Sequence, residues 1–202
     1  MTALVLTVAL AAALWGVMFG LKLGNFWLYM TFSASILALL ALVAQRGSRA
    51  RLFAWRSSHA VVGVAGAVIL YAVFLAGARI AAAVLPFAPA EVGGIYELST
   101  QASPAVTGLL LALVIGPAEE IYWRGYLQDR LARRFGGLDG WIVAGVAYGG
   151  VHLWPMNFML VLAAFVAGLF WGLLYWRRRS LWPGIISHAL WDLTIFVLLP
   201  VR

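Results

Sequence analysis

Residues 104–128 read PAVTGLLLALVIGPAEEIYWRGYLQ. A helix through this stretch is about 37 Å long at about 1.5 Å per residue, enough to cross a hydrocarbon core about 30 Å thick. It is apolar through Ile115, yet its second half carries Glu119, Glu120 and Arg124. An ionisable side chain inside a bilayer costs about 2.5–3.5 kcal/mol on insertion scales, so each of the three is a functional candidate by default. Glu120 and Arg124 are four apart and share a helix face, with the carboxylate on the N-terminal side as the favourable ion-pair order requires. Glu119 is turned about 100° from that face. The spacing predicts a division of labour in which Arg124 neutralises Glu120 and Glu119 is left to act on a water. Pro117 has no N–H for the carbonyl of Leu113 and follows Gly116, which predicts a kink just before the carboxylates.

The rest of the chain has the same character. Of its 202 residues 64% are hydrophobic and 10% charged, against about 45–50% and about 25% in soluble domains. The net charge of +7 comes from one lysine and thirteen arginines. The arginines fall in short clusters between apolar runs, a membrane-topology pattern and not a nucleic-acid-binding face. Cysteine is absent, which removes disulfides, thiol nucleophiles and thiolate metal sites. Seven apolar segments are candidate spans: Leu4–Leu21, Phe26–Ala44, Ala60–Ala78, Pro104–Gln128, Trp141–Trp154, Phe158–Trp176 and Leu181–Leu199. Ser103, Asp139, Asn157 and Ser180 are expected helix caps, and residues 87–103 are expected to form a long loop. Residues 1–21 carry no side-chain charge, so the first segment is read as a retained anchor and not a cleaved signal.

With seven spans, the clusters Arg46/Arg49/Arg51/Arg56, Arg130/Arg133/Arg134 and Arg177/Arg178/Arg179 share one side, which by the positive-inside rule is the cytoplasm. Lys22, Glu91, Glu97 and Arg202 fall on the other. The expected architecture is all-α, a single polytopic bundle over 1–202 of about seven transmembrane helices, with the N-terminus cytoplasmic. Residues 1–103 supply three N-terminal spans and the outer loop, and 104–199 the core spans.

Three further intramembrane groups fall near the depth of Glu119: His152 in the fifth span, His188 and Asp192 in the seventh. Counted from the arginine-rich ends, Glu119 is about 15 Å deep, His152 about 16 Å, and His188 and Asp192 about 10 and 16 Å. A common polar cavity in the cytoplasmic half of the bilayer is expected. His188 and Asp192 are four apart, so the carboxylate can orient the imidazole. Tyr148 stands four before His152 and is read chiefly as packing. Gly145, Gly149 and Gly150 around it would let neighbouring helices approach closely.

Together, EEIYWR at 119–124, YGGVH at 148–152 and HALWD at 188–192 resemble the EExxxR, FxxxH and HxxxN/D motifs of the CPBP intramembrane glutamic proteases. These include the type II CAAX prenyl proteases and the bacterial Abi proteins. The resemblance covers roughly Pro104 to Leu199; Tyr148 replaces Phe, and Asp192 takes the acidic option. It implies an intramembrane endopeptidase in which Glu119 and His152 activate water, His188 and Asp192 polarise the scissile carbonyl and stabilise the oxyanion, and Glu120 and Arg124 hold the site together. Asp192 would then act as a protonated donor or by orienting His188.

No cofactor or metal is expected, and the expected partners are a peptide or protein substrate, membrane-anchored in some cases, and the lipid bilayer, with no nucleic acid. The expected location is a bacterial plasma membrane. Prenylated CAAX tails, bacteriocin leaders and sorting tails all remain open as substrates, as does the oligomeric state. Three other functions compete. A zinc hydrolase would use Glu119, His152 and His188 as ligands, though the helical HExxH pattern is missing. A proton-coupled transporter would line up the same groups as a relay, and a non-catalytic membrane partner would keep the fold alone.

Overall fold

The computed structural model describes residues 2–201; Met1 and Arg202, the latter assigned above to the outer side, lie outside the described residues. No strand occurs among them. The helices are α1 (Thr2–Leu21), α2 (Phe26–Ala44), α3 (Ser57–Val84), α4 (Ala88–Glu97), α5 (Pro104–Phe135), α6 (Gly137–Gly150, prolonged by a 3-10 turn over Val151–Leu153), α7 (Phe158–Arg178) and α8 (Trp182–Leu198). Five of them, α1, α2, α3, α5 and α7, are long and apolar enough to cross a membrane. The segments expected as the fifth and seventh spans are helical but shorter.

Packing centres on α5, which touches α2, α6, α7 and α8, while α3 lies along α8 and α6 along α7. Half of the apolar window of α5 is buried, a larger share than in any other long helix. Exposed Leu, Val and Ile side chains cover the outer faces, as on Val61, Val64 and Val68 of α3; for a membrane bundle that surface is solvated by lipid tails. A Cβ added at Gly145 would come 2.5 Å from Leu169, and one at Gly149 2.6 Å from Phe165, so these two glycines bring α6 against α7 as expected. Gly150 has nothing within 4 Å and plays no such part.

Local signals fare unevenly. Ser103 accepts from the N–H of Val106, and Asn157 from that of Leu160, so both cap their helices. Asp139 is not a cap: α6 starts at Gly137, after Gly136 at φ 97°, which leaves the carboxylate inside the first turn. Ser180 precedes the cap position but still accepts from the N–H of Trp182 while donating to the carbonyl of Ala54. Residues 87–103 are not one open loop, since α4 occupies much of them. Pro89 sits in its first turn, and the Tyr96 hydroxyl ties it to α8, donating to the Ile195 carbonyl at 3.1 Å and accepting from the Val201 N–H at 2.9 Å. Too polar to read as a span, this segment gave no hint that side-chain anchors on α8 would order it.

The break expected at Pro117 takes a particular form. Residues 111–115 widen into a π-turn, with the Gly116 N–H bonded to the carbonyl of Leu111. A second π-segment follows over 121–128. Widening by one residue removes the need for a bond from Pro117 without breaking the rod, and such turns recur at functional sites.

Candidate active site

Glu119, Glu120 and Arg124 of α5, Tyr148 and His152 of α6, and His188 and Asp192 of α8 are all buried. Five of them, Glu119, Tyr148, His152, His188 and Asp192, line one cavity of about 130 Å³. Most of its remaining wall is apolar, so it is less polar than expected. Its position also differs. Phe19 at the end of α1, Phe26 and Trp27 at the start of α2, and Leu98 after α4 line it, and on α2 these lie at the end away from Arg46. The cavity therefore lies toward that face and not toward the arginine-rich ends. Counting 16 Å up from Trp141 carried His152 to the last turn of α6, which stops at Leu153.

The polar groups form two connected sets. In the first, Oε1 of Glu120 accepts from Nδ1 of His188 at 3.0 Å and is ion-paired with Nη1 of Arg124, also at 3.0 Å. The link to His188 was not foreseen, because residues 68 positions apart on two helices leave no spacing signal. Arg124 also donates from Nη2 to the Gly168 carbonyl at 3.1 Å, and its guanidinium lies 4.7 Å from the centre of the Tyr148 ring. His188 stacks on Trp171 with ring centres 3.6 Å apart, and the Trp171 N–H donates to Ser187 Oγ at 3.2 Å. Oε2 of Glu120 faces Gly184, where a Cβ would come within 2.5 Å of it. Glycine is thus required for α8 to reach the carboxylate.

The second set faces the cavity. Oε2 of Glu119 accepts the Tyr148 hydroxyl at 2.7 Å, so Tyr148 does more than pack. His152 donates from Nδ1 to the Tyr148 carbonyl at 2.8 Å, a direction fixed because a carbonyl only accepts. In the neutral ring Nε2 is then an acceptor, and it receives the indole N–H of Trp15 at 3.3 Å. Trp15 escaped the sequence reading: an uncharged residue in an apolar first helix carries no mark of a site. Asp192 Oδ2 lies 3.5 Å from His188 Nε2 and has no hydrogen-bond partner among the described residues.

Such an arrangement places a carboxylate with one oxygen outside the Tyr148 bond, an imidazole and a second His–Asp pair around a small space, which is what hydrolysis of an acyl bond requires. Among the described residues no group of three or more His, Asp or Glu is arranged to hold a metal ion. No curated protein and no solved structure matches the chain. Residues 101–194 match the family model described as "Type II CAAX prenyl endopeptidase Rce1-like". That segment holds the charged stretch of α5, the two histidines and Asp192, and over it the chain is similar to the Rce1-like type II CAAX prenyl endopeptidases.

Proposed function

We propose that the chain is an intramembrane endopeptidase of glutamic type, acting on a peptide bond near the C-terminus of a membrane-anchored substrate. The observation that carries this is the convergence of Glu119, His152, His188 and Asp192 on one cavity. A water held between Glu119 and His152 gives up a proton to that pair as its oxygen bonds to the scissile carbonyl carbon. The carbonyl oxygen, gaining charge, is met by the O–H of protonated Asp192, which the neighbouring His188 orients. The leaving amine takes the proton back. Glu120 and Arg124 keep His188 in place from behind. The family match supports a CAAX-type tail as the substrate class.

Support for the zinc reading is weaker, since among the described residues no three His, Asp or Glu side chains are arranged to hold a metal ion. Seven spans in one domain, with the N-terminus in the cytoplasm of a bacterium, remain our reading of the arginine clusters; the two shorter segments would cross where neighbouring helices cover them. Reporter fusions at both termini test it, and finding the two ends on one side would overturn the span count.

The decisive experiment is Glu119→Gln. It preserves size and the bond from Tyr148 while removing basicity. Purified protein in nanodiscs, assayed with a prenylated, fluorescence-quenched CAAX peptide, should lose cleavage by about a thousandfold or more. Terminal-peptide mass spectrometry of membranes with and without the substitution would identify native substrates. A variant that still cleaves at the parent rate would remove Glu119 as the base.

A further inference from the structure

We infer that Trp15 is a positioning residue for the reaction, holding His152 in a resting state that must open before the water is activated. This inference rests on the reading of Glu119 and His152 as the water-activating pair. A neutral imidazole has one lone pair. With Nδ1 donating to the Tyr148 carbonyl, that lone pair is on Nε2, and the indole N–H of Trp15 already occupies it. Water cannot pass its proton to Nε2 until the indole has withdrawn.

The surroundings fit a latch better than an accident of packing. Trp15 is fully buried and meets Trp123 edge-on, with ring centres 6.2 Å apart and planes at 89°. It is absent from the cavity wall, whereas His152 and Phe19 belong to it. The indole therefore holds Nε2 without itself lining the space that the substrate and the water would fill. Immediately after Trp15 the helix widens into a π-segment over Gly16–Leu21, and Phe19, one turn on, lies 6.0 Å from the His152 ring centre. Both aromatic contacts of α1 with His152 thus flank the start of a segment whose backbone bonding is already irregular, where a small shift costs less than in a regular helix. The N–H···N distance of 3.3 Å is at the long end for such a bond, as suits a contact that has to be released.

Trp15→Phe keeps an aromatic ring and removes the donor. Cleavage of the CAAX peptide by the full-length variant in nanodiscs, normalised to folded protein, should show kcat raised about three- to tenfold, the range one ordinary hydrogen bond corresponds to, with KM within about twofold of the parent. An unchanged or lower kcat overturns the latch. Trp15→Met, a flexible apolar replacement, should behave alike and serves if the Phe variant does not fold. Nitrogen-15 spectra of histidine-labelled parent protein, with His152 assigned through His152→Gln, give an independent readout. One ring nitrogen should be protonated and the other an unprotonated acceptor whose resonance moves in Trp15→Phe. A protonated Nε2 in the parent, or a resonance indifferent to Trp15→Phe, rejects the proposal. The Glu119→Gln assay separates the two levels: if that variant still cleaves, the reading of the site fails whatever Trp15 does. If it is inactive and Trp15→Phe is no faster, only the latch fails.

Discussion

Two buried carboxylate clusters lie on α5 about 15 Å apart, and they are built on opposite terms. At the arginine-rich end Asp129 is saturated. It accepts from Nη2 of Arg51 at both oxygens, 2.8 and 2.9 Å, from the Tyr175 hydroxyl at 2.7 Å, from Gln45 at 3.2 Å and from Arg133 in a close contact. Gln45 also donates to the Gly125 carbonyl at 2.7 Å, tying α2 to the turn above. Deeper in the helix, Glu119 holds one donor, Tyr148, and Asp192 faces only an imidazole nitrogen at 3.5 Å. A carboxylate whose lone pairs are all taken has none to offer a reactant, so Asp129 is a clamp. Glu119 and Asp192 keep capacity open toward a cavity. Glu120 lies between them: Arg124 and His188 load Oε1, while Oε2 has no hydrogen-bond partner among the described residues, and the side chain does not line the cavity, so it serves as a brace.

The largest effect expected from this contrast is the loss of cleavage in Glu119→Gln already described, with membrane abundance close to the parent's. Next comes Glu120→Gln. It removes the charge paired with buried Arg124 and leaves His188 only a neutral amide oxygen to donate to, and removing one partner of a buried pair costs about 3–5 kcal/mol. Both thermal stability and cleavage per folded molecule should fall. Equal stability losses in the Glu119 and Glu120 variants would erase the distinction between base and brace.

Asp129→Asn should be milder. Arg51 and Arg133 are about half exposed, so water takes over part of their solvation when the charge goes, and a cost of about 1–3 kcal/mol is expected from the weakened bonds. Thermal melts should register it while kcat per folded molecule stays within about twofold. A tenfold drop in kcat would show that the two clusters are coupled along α5, and the comparison would break.

Much of this was legible in the sequence because it is local. Helical spacing gave the Glu120–Arg124 pair, the separate direction of Glu119 and the disturbance at Pro117; hydropathy gave the five long apolar helices, and Ser103 and Asn157 announced their own caps. What failed was not local. Trp15 reaching His152, His188 reaching Glu120 and Gly184 admitting that carboxylate depend on which helices become neighbours, and no periodicity encodes it. Asp129, one residue past the span expected to end at Gln128, carries no mark of a cluster in the sequence, since a single acid at a helix end beside arginines looks like any membrane boundary. The side on which the cavity opens was misjudged for a related reason. Depths counted from one end of each helix cannot tell the middle of a long helix from the far end of a short one.

The smallest expected effect, and the most informative about chemistry, is that of Asp192→Asn. His188 donates a hydrogen bond from Nδ1–H to Glu120, so a neutral ring presents a bare lone pair at Nε2 toward Asp192. Two arrangements satisfy that geometry: a protonated Asp192 beside a neutral imidazole, or an ionised Asp192 beside an imidazolium. They differ by the position of one proton. The first creates no added charge in a membrane interior that penalises it, and it leaves an O–H that can turn to a developing oxyanion. An asparagine offers an N–H donor from nearly the same position, so Asp192→Asn should keep cleavage within about tenfold of the parent while the alkaline limb of the rate profile, set by loss of the carboxyl proton, flattens or moves to higher pH. In the second arrangement the amide cannot stabilise an imidazolium, and the rate should fall by orders of magnitude. Rates across pH in a variant that folds normally decide between them, and near-complete inactivity would assign Asp192 to the orientation of His188 and remove it as the donor.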